Sequence, residues 1–168
     1  KDAGFKLMAF ADAATIELKQ EVRDMCAQNT CGKYGSNWAC PPGCGELDEC
    51  REKVSKYTWG IIVQTSGQME DSFDFETVAE IAAEHDENFL KILEPMREAF
   101  PGMLPLGAGT CTICAKCAYP DKPCRFPDKR VSSVEAYGMV VQEVCAASGL
   151  KYYYGPRAIA YTSCFLLE

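Results

Sequence analysis

One histidine, His85, is all the imidazole this 168-residue chain contains. That scarcity excludes zinc sites built on paired histidines and most acid–base schemes that need two imidazoles. His85 lies in the acidic stretch AEIAAEHDENF, where a solvent-facing helix position is the expectation. No apolar run approaches the roughly 20 residues of a membrane-spanning helix, so no membrane segment is expected. The opening KDAGFKLMAF has no long apolar core of the secretory type, and a cytoplasmic location is the expectation. Basic stripes are missing too. At a net charge of −7, nothing is long enough to track a phosphate backbone, which argues against a nucleic-acid partner. The most basic stretch holds only Lys122, Arg125, Lys129 and Arg130. It suits a solvated loop, an anionic site or an acidic partner. Nucleophile elbow, Walker loop and dinucleotide glycine fingerprint are all absent, GAGTC at 107–111 being only a superficial likeness.

Cysteine is what the chain has instead. There are eleven, an odd number, so they cannot all pair within one chain. A chain of this length buries a core without covalent staples, which removes the usual reason for a disulfide framework. Nine of the eleven fall in two windows, 26–50 and 111–124. Thiols separated by two or three residues match metal-site geometry better than disulfide geometry. Cys145 and Cys164 stand apart, on a helix face and a strand, and read as small buried hydrophobes.

The second window, GTCTICAKCAYPDKPCRFP, spaces Cys111, Cys114 and Cys117 like the teeth of a comb. Cysteines at i, i+3 and i+6 let a short loop wrap a compact centre, each thiolate meeting a different metal atom, as on the [4Fe–4S] cube of bacterial ferredoxins. A lone zinc ion more often takes cysteine pairs from two separated loops. Cys124 follows after six intervening residues, a gap long enough to close the same cube. Zinc remains the alternative. In the first window Cys26, Cys31 and Cys40 sit in a Gly- and Asn-containing loop stiffened by Pro41-Pro42, and Cys44 and Cys50 compete for the fourth place. A second cube and a zinc site are both admissible there. Tyr34 and Trp38 would shield a cluster from water, although core aromatics would look the same.

Periodicity predicts a single α+β domain spanning 1–168, a small mixed or antiparallel sheet with helices packed on it and two cysteine-rich loops. Strands are expected at 5–10 and 58–65, and a helix carrying Leu18, Val22 and Met25 into Cys26. Leu47, Cys50, Val54 and Tyr57 mark a second helix. A long helical region at 75–100 should kink or break near Leu93 because of Pro95. Ser132 and Glu135 form a capping-box pattern opening a helix that Gly149 stops. KYYY, the Gly155-Pro156 turn and RAIAYTSCFLL predict a C-terminal hairpin whose last strand, apolar on both faces, lies inside the sheet.

The run from Cys26 and Cys31 through KYGSNWACPPGCGELDEC, then CTICAKC, PCRFP and VSSVEAYGM, resembles the predicted metal-binding proteins of domain-of-unknown-function family 2284. The resemblance spans nearly the whole chain. It implies two groups of metal-binding cysteines acting as iron–sulfur ligands in a small α/β protein of anaerobic bacteria and archaea. It also implies a cysteine ligand at the Cys50 position, in preference to Cys44.

The ligand candidates are thus Cys111, Cys114, Cys117 and Cys124 for one centre, and Cys26, Cys31, Cys40 and Cys50 for the other, with Cys44 the alternative to Cys50. Four thiols per cube leave no open iron, which favours single-electron transfer to a partner protein. Two other functions are consistent with the same residues. One is a small enzyme using an open cluster iron, with Arg125 or Lys129 as an anion contact. The other is a zinc-stabilised interaction module or a cluster-based sensor. The radical-SAM spacing C-x3-C-x2-C is absent, because Cys50 follows Cys40-x3-Cys44 only after five residues.

Overall fold

A computed structural model describes residues 4–168. The last strand is the natural starting point. Residues Thr162 to Leu167 are all buried, so the strand needs cover on both faces and a partner on both edges. Five strands supply the sheet: β1 (Leu7–Asp12), β2 (Trp59–Gln68), β3 (Leu104–Gly107), β4 (Ser132–Ser133) and β5 (Ala158–Leu167). Their order is β1-β2-β5-β3-β4, which puts β5 in the middle as its composition predicts. All neighbours are antiparallel except β3 and β4. The long β2–β5 ladder runs from Trp59 opposite Leu167 to Gln68 opposite Ala158.

Side-chain alternation divides the core in two. On one face Ile62, Leu106, Cys164 and Leu166 meet Leu47, Cys50 and Val54 of α2 (Leu47–Val54) and Val144 of α4 (Val141–Ser148). On the other, Val63 and Phe165 meet Phe89 and Leu93 of α3 (Phe75–Ala99). The rings of Phe89 and Phe165 stack with centroids 5.0 Å apart. Gly67 of β2 lets α3 come close, since a Cβ there would collide with Ile81. Cys145 and Cys164 are fully buried, as expected of small hydrophobes.

Several expectations need correction. Helix α3 runs unbroken through Pro95. Pro95 and Lys91, whose carbonyl loses its helical partner, are both solvent-exposed, so water can take that bond while Phe89 and Leu93 hold the opposite side on the sheet. The single helix expected from Ser132 is instead β4, a short turn of 3₁₀ helix at Glu135–Tyr137, and α4. Gly138 divides them at φ +88°, and a Cβ there would meet Leu47 Cδ1 at 2.8 Å. Ser133, not Ser132, caps the turn by accepting from Ala136 N at 3.0 Å. Gly149 does end α4, in the left-handed conformation. The C-terminal hairpin does not form. Both edges of β5 are taken by β2 and β3, and residues 151–154 lie irregularly against buried Gln64, which bonds Lys151 O at 3.0 Å and Tyr154 Oη at 2.6 Å. Met25 of α1 (Gln20–Ala27) faces solvent rather than the core.

His85 is the largest departure. It is fully buried, with Nδ1 3.0 Å from Thr65 Oγ1 on β2 and Nε2 2.7 Å from Ser163 Oγ on β5. Burial holds its pKa down to about 4, from an ordinary 6.5. A neutral native imidazole refuses a proton that the unfolded chain accepts. Its contribution to stability is therefore complete above pH 6.5 and is lost as the pH falls toward 4. With one histidine in the chain the ring resonances are unambiguous, and they should stay unshifted from pH 8 down to about 5.5 by proton NMR. A midpoint above 6 would contradict the neutral, buried assignment.

Candidate metal centre

Both cysteine windows hang from this core. Cys26 is in α1 and Cys50 in α2, and the chain between them loops out as residues 28–46. The comb follows β3 directly and returns into β4. All four of its cysteines are partly buried, and together they line one small cavity of about 30 Å³. Asn37, Trp38 and Ala39 of the other window line it too, as do Phe126 and Arg130.

Asn37 joins the two windows. Its Oδ1 accepts from Ala39 N and Cys40 N, each at 2.9 Å, and from Thr110 Oγ1 at 3.3 Å. Trp38 makes a second link. Its indole N–H donates to Lys122 O at 3.0 Å, and its ring meets Tyr119 edge-on at 4.9 Å between centroids. Within the comb loop, Arg125 donates to Lys116 O at 2.9 Å.

The thiols of the comb are not equivalent. Burial pushes the Cys117 thiol up, but backbone N–H groups of Tyr119, Trp38 and Ala118 donate to its sulfur, and Arg125 adds positive charge. The balance lowers its pKa below the ordinary thiol value. Amide donors aimed at sulfur stabilise a thiolate and tune any metal it binds.

In the first window Cys31 is exposed, Cys26 half-buried, and Cys40, Cys44 and Cys50 buried. Burial pushes the Cys26 thiol up; Arg23 opposes this, while Cys31 and Cys40 are near enough to push it further. Cys40 Sγ lies 3.2 Å from Thr110 Oγ1, at the edge of the comb. Cys44 and Cys50 form a separate pair. Cys44 Sγ donates to Ala136 O at 3.5 Å, and the closeness of the two sulfurs raises the pKa of Cys44 and lowers that of Cys50. Arg23 Nη1 is 3.7 Å from both sulfurs. Its guanidinium also donates to Ala136 O at 2.8 Å and Gly45 O at 2.6 Å. It pairs with no carboxylate among the described residues, so the two sulfurs and two carbonyls are the polar groups around it.

Cys26, Cys31 and Cys40 are thus brought into one neighbourhood, and both claimants for the fourth place are near it. Among the described residues, no three histidine, cysteine or acidic side chains are drawn tightly enough together to hold a bare ion. The donor chemistry nonetheless fits a metal. Soft thiolates suit iron–sulfur clusters or zinc, and the comb's four converge on one cavity with amide donors already on one sulfur.

The family model of the predicted metal-binding proteins designated DUF2284 matches residues 9–167. The chain belongs to this family. The family is one of predicted metal-binding proteins, and the chain is rich in cysteine. No curated protein and no solved structure matches the chain. No helix of the described residues is long and apolar enough to cross a membrane.

Two contributors escaped the sequence reading. Arg23 carried no local signal, because its sulfur partners lie 21 and 27 residues away. Asn37 was readable in principle, since an Asn two and three residues before backbone N–H groups is an Asx-turn pattern. Asn37→Ala should cost about 1–3 kcal/mol by leaving those buried amides unpaired. Thermal unfolding would show the loss, and hydrogen exchange at Cys40 would accelerate. A variant as stable and as protected as the parent would show that water replaces the carboxamide without loss.

Proposed function

We propose that this protein is an iron–sulfur electron carrier, with a [4Fe–4S] cluster on the comb and a second metal centre on the 26–50 window. The observation that carries the reading is the convergence of Cys111, Cys114, Cys117 and Cys124 on a single cavity. A cluster there supplies one-electron redox chemistry. Everything else is the work of the chain. Four thiolates hold the group and leave no ligand place for a substrate, which favours electron transfer over catalysis. Trp38 and Phe126 line the cavity and limit water. The amides of Trp38, Ala118 and Tyr119 draw negative charge from the Cys117 sulfur, with Arg125 and Arg130 beside the site as cations. In the other window Cys26, Cys31 and Cys40 act with Cys50 as fourth ligand. Cys44 lies beside that sulfur and Arg23 balances its charge.

Protein purified under strict anaerobiosis should contain about four irons and four acid-labile sulfides per cluster. Dithionite should then produce an EPR signal. Zinc without sulfide would overturn the electron-transfer reading in favour of a zinc-stabilised interaction module. Cys114→Ser tests the comb separately. The variant should keep its far-UV circular dichroism while losing visible absorption, whereas loss of both would point to a structural metal.

A further inference from the structure

A larger cavity, about 180 Å³, lies between α3 and the comb loop and plays no part in holding the thiols together. Phe89 and Leu93 from α3, with Val131 at the foot of the returning chain, make it apolar on one side. Residues 107–110 with Cys111 and Ile113 close the other. Cys111 and Ile113 also line the comb cavity, so the two spaces share a wall. An apolar cavity of about 150 Å³ accommodates benzene, so this one has room for a ring and a small substituent.

Charge narrows the choice of ligand. Glu94 accepts from Arg97 at 2.7 Å, and Arg97 also donates to Lys129 O at 3.1 Å. Those two side chains neutralise each other and pin the Lys129 backbone to α3. Lys129 lines the cavity and makes no ion pair among the described residues, so its ammonium is free to turn toward a ligand there. Asp86 also contributes to the lining, about 12 Å along the helix from Glu94. Two carboxylates in the walls repel a dianion. One lysine without an ion pair, with Thr112 also in the lining, suits a monoanion.

We infer that this cavity binds a small monocarboxylate with a ring-sized apolar body. The carboxylate sits on Lys129 and the body on Phe89, Leu93 and Val131, one wall away from the comb's first thiol. This goes beyond electron transfer and does not depend on which metal the comb holds.

Benzoate is a suitable probe, with benzyl alcohol as its uncharged counterpart, titrated calorimetrically into anaerobically purified holoprotein. Benzoate should bind saturably at one site. Lys129→Met, an exposed position, should weaken benzoate about tenfold, the scale of one charge-assisted hydrogen bond, and leave benzyl alcohol unchanged. Val131→Phe, which fills the cavity, should remove both. The visible spectrum and circular dichroism of each variant report that the comb and the fold survive. Absence of saturable benzoate binding to the parent, or undiminished benzoate affinity in Lys129→Met, would overturn the inference. A parent that contains zinc and still binds benzoate in this pattern would sink the electron-carrier reading and leave the binding site standing.

Discussion

Strand β5 has to be covered on both faces, and most of the architecture answers that demand. Fully burying a side chain the size of Phe or Leu is worth about 1.5–3 kcal/mol, and Phe165, Leu166 and Leu167 are all essentially inaccessible. They face in alternate directions, so no single layer can satisfy them. Helix α3 takes one side; α2 and α4 take the other. The same demand locates the cysteine windows. Strand β3 bonds directly to β5 and ends at Gly107, so the comb leaves from the most deeply buried part of the sheet. Cys50, three residues into α2, is anchored by the layer that packs beneath.

Between the windows the cohesion is polar. Three donors converge on one carboxamide oxygen at Asn37, and one indole N–H from Trp38 reaches across to the comb. Buried polar groups of this kind contribute through geometry more than through net energy, because each is costly only when left unpaired. Arg23 belongs to the same class. A guanidinium at 7% exposure would be expensive alone, and two carbonyls together with two sulfurs surround it. The sulfur-rich end of the molecule is thus organised by hydrogen bonds, and the sheet beneath it by apolar contact.

That division explains what could be read from residues alone. The strands around 5–10 and 58–65, the helix of Leu47, Cys50 and Val54, and the two-faced strand at the C-terminus each carry a local period, and each is present. The comb is local too, and its four cysteines line one cavity. What depended on distant partners was not legible. His85 sits in an acidic stretch that looks solvated, yet its two hydroxyl partners lie 20 and 78 residues away. Pro95 is a breaker by its own chemistry, and the packing of Phe89 and Leu93 overrides it. Gly138 falls inside the single helix expected between Ser132 and Gly149. That it divides two helical turns depends on Leu47 and Lys19, brought up from elsewhere in the chain.

The comb loop, finally, has little backbone structure of its own. Between residues 108 and 131, the backbone bonds among the described residues run from Lys122 to Ala118, and from Lys129 and Arg130 to Phe126. Such a segment has the character of a low-stability unit that opens independently of the sheet. Its order has to come from outside, through Trp38, through Asn37 and through whatever the thiols bind. On the proposed reading, metal loading would be a folding step for this loop, reversible without disturbing β5. Turnover of the protein in a cell would accordingly begin at the comb, with proteases finding the unloaded chain there before any strand is exposed.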